Sequence, residues 1–180
     1  IVNANVTGEL FDTWAGPIKI ALGAEYRKDK VNSVSDPISD ISGWRQGTFG
    51  SYRGTLEVKE LYGETTIPLA RDTFFARSLD LDLAGRVVDY STVGSTAVWK
   101  IGANWAVSDE LRFRSTYSKD FRAPKINDLF SQANLRAGNT VVDYLTNRSV
   151  NVNLLQGGNP NLDPETAYTF TAGIVVEPSF

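Results

Sequence analysis

Apolar and polar residues alternate with a period of two along most of this chain, the spacing of a β-strand whose successive side chains point to opposite faces. Leu79, Leu81, Leu83, Gly85 and Val87 are separated by Asp80, Asp82, Ala84 and Arg86. Trp99, Ile101, Ala103, Trp105 and Val107 form one row against Lys100, Gly102, Asn104 and Ala106. Leu111, Phe113, Ser115 and Tyr117 oppose Arg112, Arg114, Thr116 and Ser118, and Tyr168, Phe170, Ala172, Ile174 and Val176 oppose Thr169, Thr171, Gly173 and Val175. Looser alternation runs over 2–11, 17–31 and 55–69. The pattern predicts about seven strands and no helix of useful length.

The expected connections fall into two size classes. Residues 12–16, 70–77 and 108–110 are short and rich in turn formers. If the strands run up and down, these lie at one end, and the other end carries 32–52, 91–95 and a segment from Phe121 to Asp163. A connection as long as the last is uncommon inside a compact domain and is usually functional. Short turns at one end and long loops at the other are the habit of outer-membrane barrels.

Alternation alone does not say which solvent the apolar rows meet. A β-sandwich turns them inward onto a second sheet, and a membrane barrel turns them outward to lipid. Strands readable as about 10 to 13 residues exceed the usual five or six. Trp99, Trp105, Tyr117, Phe121 and Tyr168 stand toward expected strand ends, where an aromatic girdle would lie. The polar rows hold charges of both signs, which either fold would accept. Glu64 is expected near Arg86 across neighbouring strands, and Arg86 or Asp82 near Lys100 or Asn104.

Composition narrows the chemistry. The 180 residues include no Cys, Met or His, so a His- or Cys-based nucleophile system, a Cys/His metal site and disulfides are excluded. A net charge of −3 argues against a nucleic-acid partner. The longest unbroken apolar run is three residues, far below the roughly 20 of a spanning helix. No signal peptide is expected, since the chain opens on Ile1 without a basic-then-apolar leader. A carboxylate-only glycosidase using Glu60 and Glu64 is a poor fit. Residues i and i+4 on one strand face lie about 13 Å apart, beyond the roughly 5–9.5 Å such pairs need. No catalytic residue, metal site or cofactor is expected.

Four segments resemble the motifs of one family. Tyr117-Ser118-Lys119-Asp120-Phe121-Arg122-Ala123-Pro124 is similar to the "YS..FRAP" signature of TonB-dependent outer-membrane receptors, which there follows a barrel strand and opens a long extracellular loop. Gly158-Asn159-Pro160-Asn161-Leu162-Asp163-Pro164-Glu165 resembles the family's "GNP.L.PE" motif, which closes that loop. Gly23-Ala24-Glu25-Tyr26-Arg27 and Tyr90-Ser91-Thr92-Val93-Gly94-Ser95-Thr96 resemble its "GaEyR" strand and "YS..G" hairpin. The local physics agrees. Pro124 fixes its own φ and keeps Ala123 out of the helical region, and Asn159-Pro160 and Asp163-Pro164 are turn formers. Phe121, Ala123, Pro124, Leu162 and Glu165 are expected to shape the loop rather than touch a ligand. Arg122 is expected to hydrogen-bond loop carbonyls or a carboxylate.

The resemblance implies an all-β fold, a partial antiparallel transmembrane barrel contributing about seven of some 22 strands. At about 26 residues per strand the whole would need roughly 570 residues. Residues 1–180 are therefore expected to be part of a barrel domain, with the plug domain and TonB box absent from this chain and the isolated piece a curved open sheet. It further implies the outer membrane of a Gram-negative bacterium, and energy-coupled uptake of a scarce nutrient such as a ferric siderophore, haem, cobalamin or a carbohydrate. The partners are then outer-membrane lipid, the nutrient, and the TonB complex through the missing N-terminal part. The alternative is a soluble β-sandwich binding carbohydrate or another ligand. Candidate ligand contacts are the aromatic and cationic loop residues Trp44, Arg45, Phe49, Arg136, Tyr144 and Arg148, which suit anionic chelates or sugars.

Overall fold

The computed structural model describes residues 1–41, 43, 44 and 50–179, the side chains of Leu135, Arg136 and Ala137 excepted. The strands are β1 (Val2–Thr13), β2 (Gly16–Ser33), β3 (Tyr52–Thr73), β4 (Ala76–Tyr90), β5 (Gly94–Ala106), β6 (Leu111–Arg122), β7 (Asn134–Asp143), β8 (Arg148–Gln156) and β9 (Glu165–Val176). Two short helices, α1 (Pro37–Asp40) and α2 (Ile126–Phe130), lie between them. A seven-stranded sheet runs in the order β1-β2-β3-β4-β5-β6-β9, and β7 and β8 pair separately. The expected seven-strand sheet is thus present. The 121–163 segment, expected as one long connection, instead holds α2 and the β7–β8 hairpin. Its alternation is broken by a bulge between Arg136 and Asn139, which hides the period of two.

The chain divides into two compact units. The sheet unit comprises 1–27, 57–123 and 164–180, and the loop unit 28–56 and 124–163.

In the middle of the sheet unit rows of side chains run unbroken across five strands. Ile67, Leu81, Ala103, Ser115 and Ala172 are successive partners, and so are Thr65, Leu83, Ile101, Tyr117 and Phe170. On the opposite face Glu64, Ala84, Lys100, Ser118 and Thr169 form one row. The apolar rows are exposed toward the sheet's edges, with Val6 69%, Leu61 65%, Phe170 70% and Ile174 64% accessible, and half-exposed at Leu81 and Leu83 in its middle. The buried apolar residues are mainly small, Ala15, Ala70, Ala76 and Ala106 among them. A β-sandwich would bury these rows against a second sheet about 10 Å away. Among the described residues of the unit no such layer exists, which removes the sandwich alternative.

Two aromatic bands cross the apolar face. Trp99 meets Tyr117 edge-on at 5.2 Å, and Tyr117 stacks with Tyr168 at 6.5 Å. Six residues further along β5, Trp105 lies 5.6 Å from Phe113, so the bands are about 20 Å apart at ~3.3 Å per residue. Phe121 departs from the expected girdle. The β5–β6 register ends at the Trp99–Lys119 pair, and beyond it Phe121 turns its ring edge-on to Tyr90 at 5.8 Å.

The turn ends of these strands are tied to one another. The Thr13 hydroxyl donates to the Gly16 carbonyl, and Trp105 Nε1 donates to the Phe75 carbonyl at 3.0 Å. Arg77 bridges two turns, 2.7 Å from Asp72 and 3.0 Å from Asp109.

Candidate functional site

The polar face of the sheet is organised around Tyr62. Its ring lies over Gly23, where an added Cβ would stand 2.3 Å from the ring, and its hydroxyl donates to Asn5 Oδ1. The Arg86 guanidinium sits 5.3 Å above the same ring, a cation–π distance, and reaches Glu60 at 3.7 Å. Arg86 therefore takes Glu60, not the Glu64 expected from sequence. The register sets Tyr62 opposite Arg86, so Glu60 and Glu64 flank it diagonally, and the arginine leans toward Glu60. Asp82 accepts from the Thr66 hydroxyl at 2.7 Å, and Asp80 pairs with Arg71 at 2.9 Å. The cross-strand partners of Asp82 and Arg86 on β5 are Gly102 and Val98, and Lys100 opposes Ala84. Lys100 is therefore the diagonal neighbour of both Asp82 and Arg86, and it lines one cavity with each, as expected, without an ion pair between them. Asp80 is the residue opposite Asn104.

The two loop motifs each close on themselves and their strands. Arg122 and Glu165 are register partners, with Nη1 3.4 Å from Oε2 and both side chains exposed. Ala123 is half-buried and Pro124 buried. In the loop unit, Lys125 N donates to Asp128 Oδ2 at 2.9 Å and starts α2, whose Leu129 is 1% exposed. Gly158 N donates to the Ser131 carbonyl at 2.9 Å, and Asn159 N to the Asp128 carbonyl at 2.8 Å. A side chain at Gly158 would meet the Leu129 carbonyl at 2.7 Å, so glycine permits this docking. Asn159 Oδ1 accepts from Asn161 N at 3.0 Å, and Leu162 N donates back to the Asn159 carbonyl at 3.2 Å. Pro160 and Leu162 are exposed and Pro164 is half-buried, immediately before Glu165 opens β9. From β3, the Tyr52 hydroxyl donates to Asn127 Oδ1 at 2.7 Å, and Gly54 faces the Phe130 ring with no room for a Cβ.

Of the candidate ligand contacts, Arg45 and Phe49 lie outside the described residues, as does the Arg136 side chain. Trp44 is 53% exposed and donates through Nε1 to Asp36 Oδ1 at 3.4 Å. Asp36 caps α1, accepting from Ile38 N and Ser39 N at 3.0 Å each and from the Ser39 hydroxyl at 2.6 Å. The Ser39 hydroxyl, then its amide, hold the Asp36 carboxyl below its ordinary 3.8. Tyr144 is 94% exposed at the β7–β8 tip, and Arg148 closes that tip opposite Asp143. Asp143 accepts from the Thr146 hydroxyl and from Leu145 N, which lowers its pKa too. The structure thus gathers Tyr144 and Arg148 on one hairpin, while Trp44 is held within its own segment. The Asp36-Pro37 pair, a cap followed by proline at the first helical position, was the sequence signal for α1. Among the described residues no group of carboxylates could hold a metal.

A sheet whose apolar rows are exposed, whose other face is charged, and whose long connections are pinned at their bases has the build of one stretch of a barrel wall. The family model described as "TonB dependent receptor-like, beta-barrel" matches residues 2–180, and the chain belongs to that family. Two solved structures share the fold. The siderophore receptor PirA from Acinetobacter baumannii superposes with a TM-score of 0.71 at 18% identity over 98% of this chain and 24% of that one. The siderophore receptor PirA from Pseudomonas aeruginosa gives 0.66 at 21% identity over 98% of this chain and 29% of that one. The chain therefore spans about a quarter of the length of these receptors. Among curated proteins no sequence match reaches significance.

Proposed function

We propose that this chain is part of the wall of an outer-membrane receptor that takes up a scarce nutrient, a ferric siderophore first of all, with energy from the TonB complex. The plug and the TonB-engaging box would belong to the rest of a longer polypeptide in the outer membrane of a Gram-negative bacterium. The observation that carries the reading is the exposure of the apolar rows, Val6, Leu61, Phe170 and Ile174, between two aromatic bands. In water such a face would draw copies together, whereas in a bilayer it is the lipid-facing side. The two similar structures are siderophore receptors, which supports the choice of nutrient class.

In this reading the charged face lines the lumen, and Trp44, Arg45, Phe49, Arg136, Tyr144 and Arg148 are ligand contacts. A cationic and aromatic set suits an anionic chelate. The test is uptake of radiolabelled iron by cells carrying the full-length receptor as the sole candidate route. Uptake should require the receptor and should stop when the inner-membrane proton gradient is collapsed. Equal uptake in its absence, or uptake indifferent to the gradient, would refute the assignment.

A further inference from the structure

The β5–β6 ladder stops short of both strands. Its last pair toward the loop end is Trp99–Lys119, yet β5 continues to Gly94 and β6 to Arg122. Past that pair each strand stays with its other neighbour. β5 pairs with β4 as far as Tyr90–Gly94, and the Ser95 hydroxyl donates to Asp89 at 2.6 Å. β6 pairs with β9 as far as Arg122–Glu165. The sheet thus forks into two leaves, β4–β5 and β6–β9. The contacting rings of Trp99, Tyr117 and Tyr168 mark the base of the fork.

Phe121 shows that the fork is open. By alternation it belongs with Tyr117 and Lys119 on the apolar face, whereas Tyr90 belongs with Arg86 and Val88 on the charged face. The two rings nevertheless meet edge-on at 5.8 Å. Between strands hydrogen-bonded at about 4.8 Å, no ring passes from one face to the other. Phe121 therefore crosses in the gap, and Gly94, the partner of Tyr90, leaves room by having no side chain. Among the described residues this is the one ring contact, ion pair or side-chain hydrogen bond that joins 86–98 to 120–122. A cavity lies in the fork, lined by Val98 and Lys100 of β5, Asp120 and Phe121 of β6, and Glu64 and Arg86 of the charged face.

We propose that the fork is a gate in the wall, with the Trp99–Lys119 row as its hinge and Phe121 as its latch. Closed, the ring rests on Tyr90. Withdrawn, it frees the ends of β6 and β9 to swing away from β5 and opens the charged cavity between them. A stretch without ladder pairs is the part of a sheet that moves most readily. A latch made of one ring pair is released by a modest difference in contacts between the two positions. The inference rests on the reading of this chain as part of an uptake receptor, and adds a moving part to its wall.

The test uses the full-length receptor in lipid vesicles, read by amide exchange without ligand and by iron uptake. Amides of 95–98 and 120–122 should exchange faster than those of 100–105 and 112–117. Phe121→Ala should quicken exchange at 95–98 about two- to tenfold, the weight of one edge-on ring pair, and Phe121→Tyr should not. Val98→Cys with Asp120→Cys sets two thiols at the next register position of a chain that has no cysteine of its own. Their disulfide ties the leaves together. Iron uptake should then fall under oxidant and return with reductant, while each single variant responds to neither. Exchange as slow on the loop side of Trp99–Lys119 as on the other, no change in Phe121→Ala, or undiminished uptake by the tied receptor would overturn the gate. Uptake that never depends on the receptor sinks the uptake reading, and the exchange contrast still decides the gate.

Discussion

The two faces of the sheet are made by the same strands, residue by residue in turn, yet they are finished differently. On the charged face several polar groups have a protein partner of defined geometry: Tyr62 with Asn5, Arg86 with Glu60, Asp82 with Thr66, Asp80 with Arg71. On the apolar face the side chains pack edge to edge within their bands and are otherwise uncovered. A polar group needs a partner of defined geometry wherever water is scarce. An apolar side chain needs only a solvent that does not penalise it. The charged face is therefore specified by named contacts and the apolar face by its surroundings.

The largest expected contrast comes from one charge placed on either face. In the intact receptor Leu81→Arg should destabilise by about 2–4 kcal/mol, the cost of a cation near a bilayer midplane. Asp82→Arg, one residue along, should cost far less. Urea unfolding of both variants in lipid vesicles measures the difference, and equal losses would erase the distinction between the faces. Glycine offers the next contrast. Gly23→Ala should displace Tyr62 from its seat and cost about 1–3 kcal/mol, as overpacking does. Gly85→Ala, with open space before it, should be neutral or stabilising by about 0.5–1 kcal/mol.

A smaller effect separates the two glutamates beside Arg86. A double-mutant cycle should find about 0.2–1 kcal/mol of coupling between Arg86 and Glu60, since the arginine is half exposed, and none between Arg86 and Glu64. Coupling to Glu64 instead would place the arginine in the other diagonal. The least effect belongs to neither face. The Asp36 carboxyl is depressed in the folded chain, so its contribution to α1 is present above its ordinary 3.8 and is lost as pH falls below that value. Amide exchange at Ile38 and Ser39 should quicken in that acid window. Exchange that is flat across it would deny the cap its role.

Much of the sheet was legible because alternation is a local property. Leu79 to Val88 and Trp99 to Ala106 lie where their period of two puts them, and their faces follow. The hairpin β7–β8 was not legible, because the bulge between Arg136 and Asn139 shifts the phase halfway along. Of the candidate ligand contacts the sequence could offer only residue types in loops. Trp44 is tied to Asp36, and Tyr144 and Arg148 share one tip, relations that no spacing announces. The clasp of Gly158 and Asn159 on α2 was equally hidden, since it joins segments about 30 residues apart through backbone atoms common to every residue.

By itself the sequence determined which residues share a face, because alternation follows from the geometry of an extended backbone. It also determined where the chain must turn, because proline and glycine restrict or free the backbone wherever they stand. Only the tertiary structure decided that among the described residues no second layer of the sheet unit covers the apolar rows, and that Arg86 chooses Glu60. Those outcomes depend on register between strands. Register is set by the hydrogen-bonding of whole ladders and by the turns that join them, so no single stretch of residues encodes it.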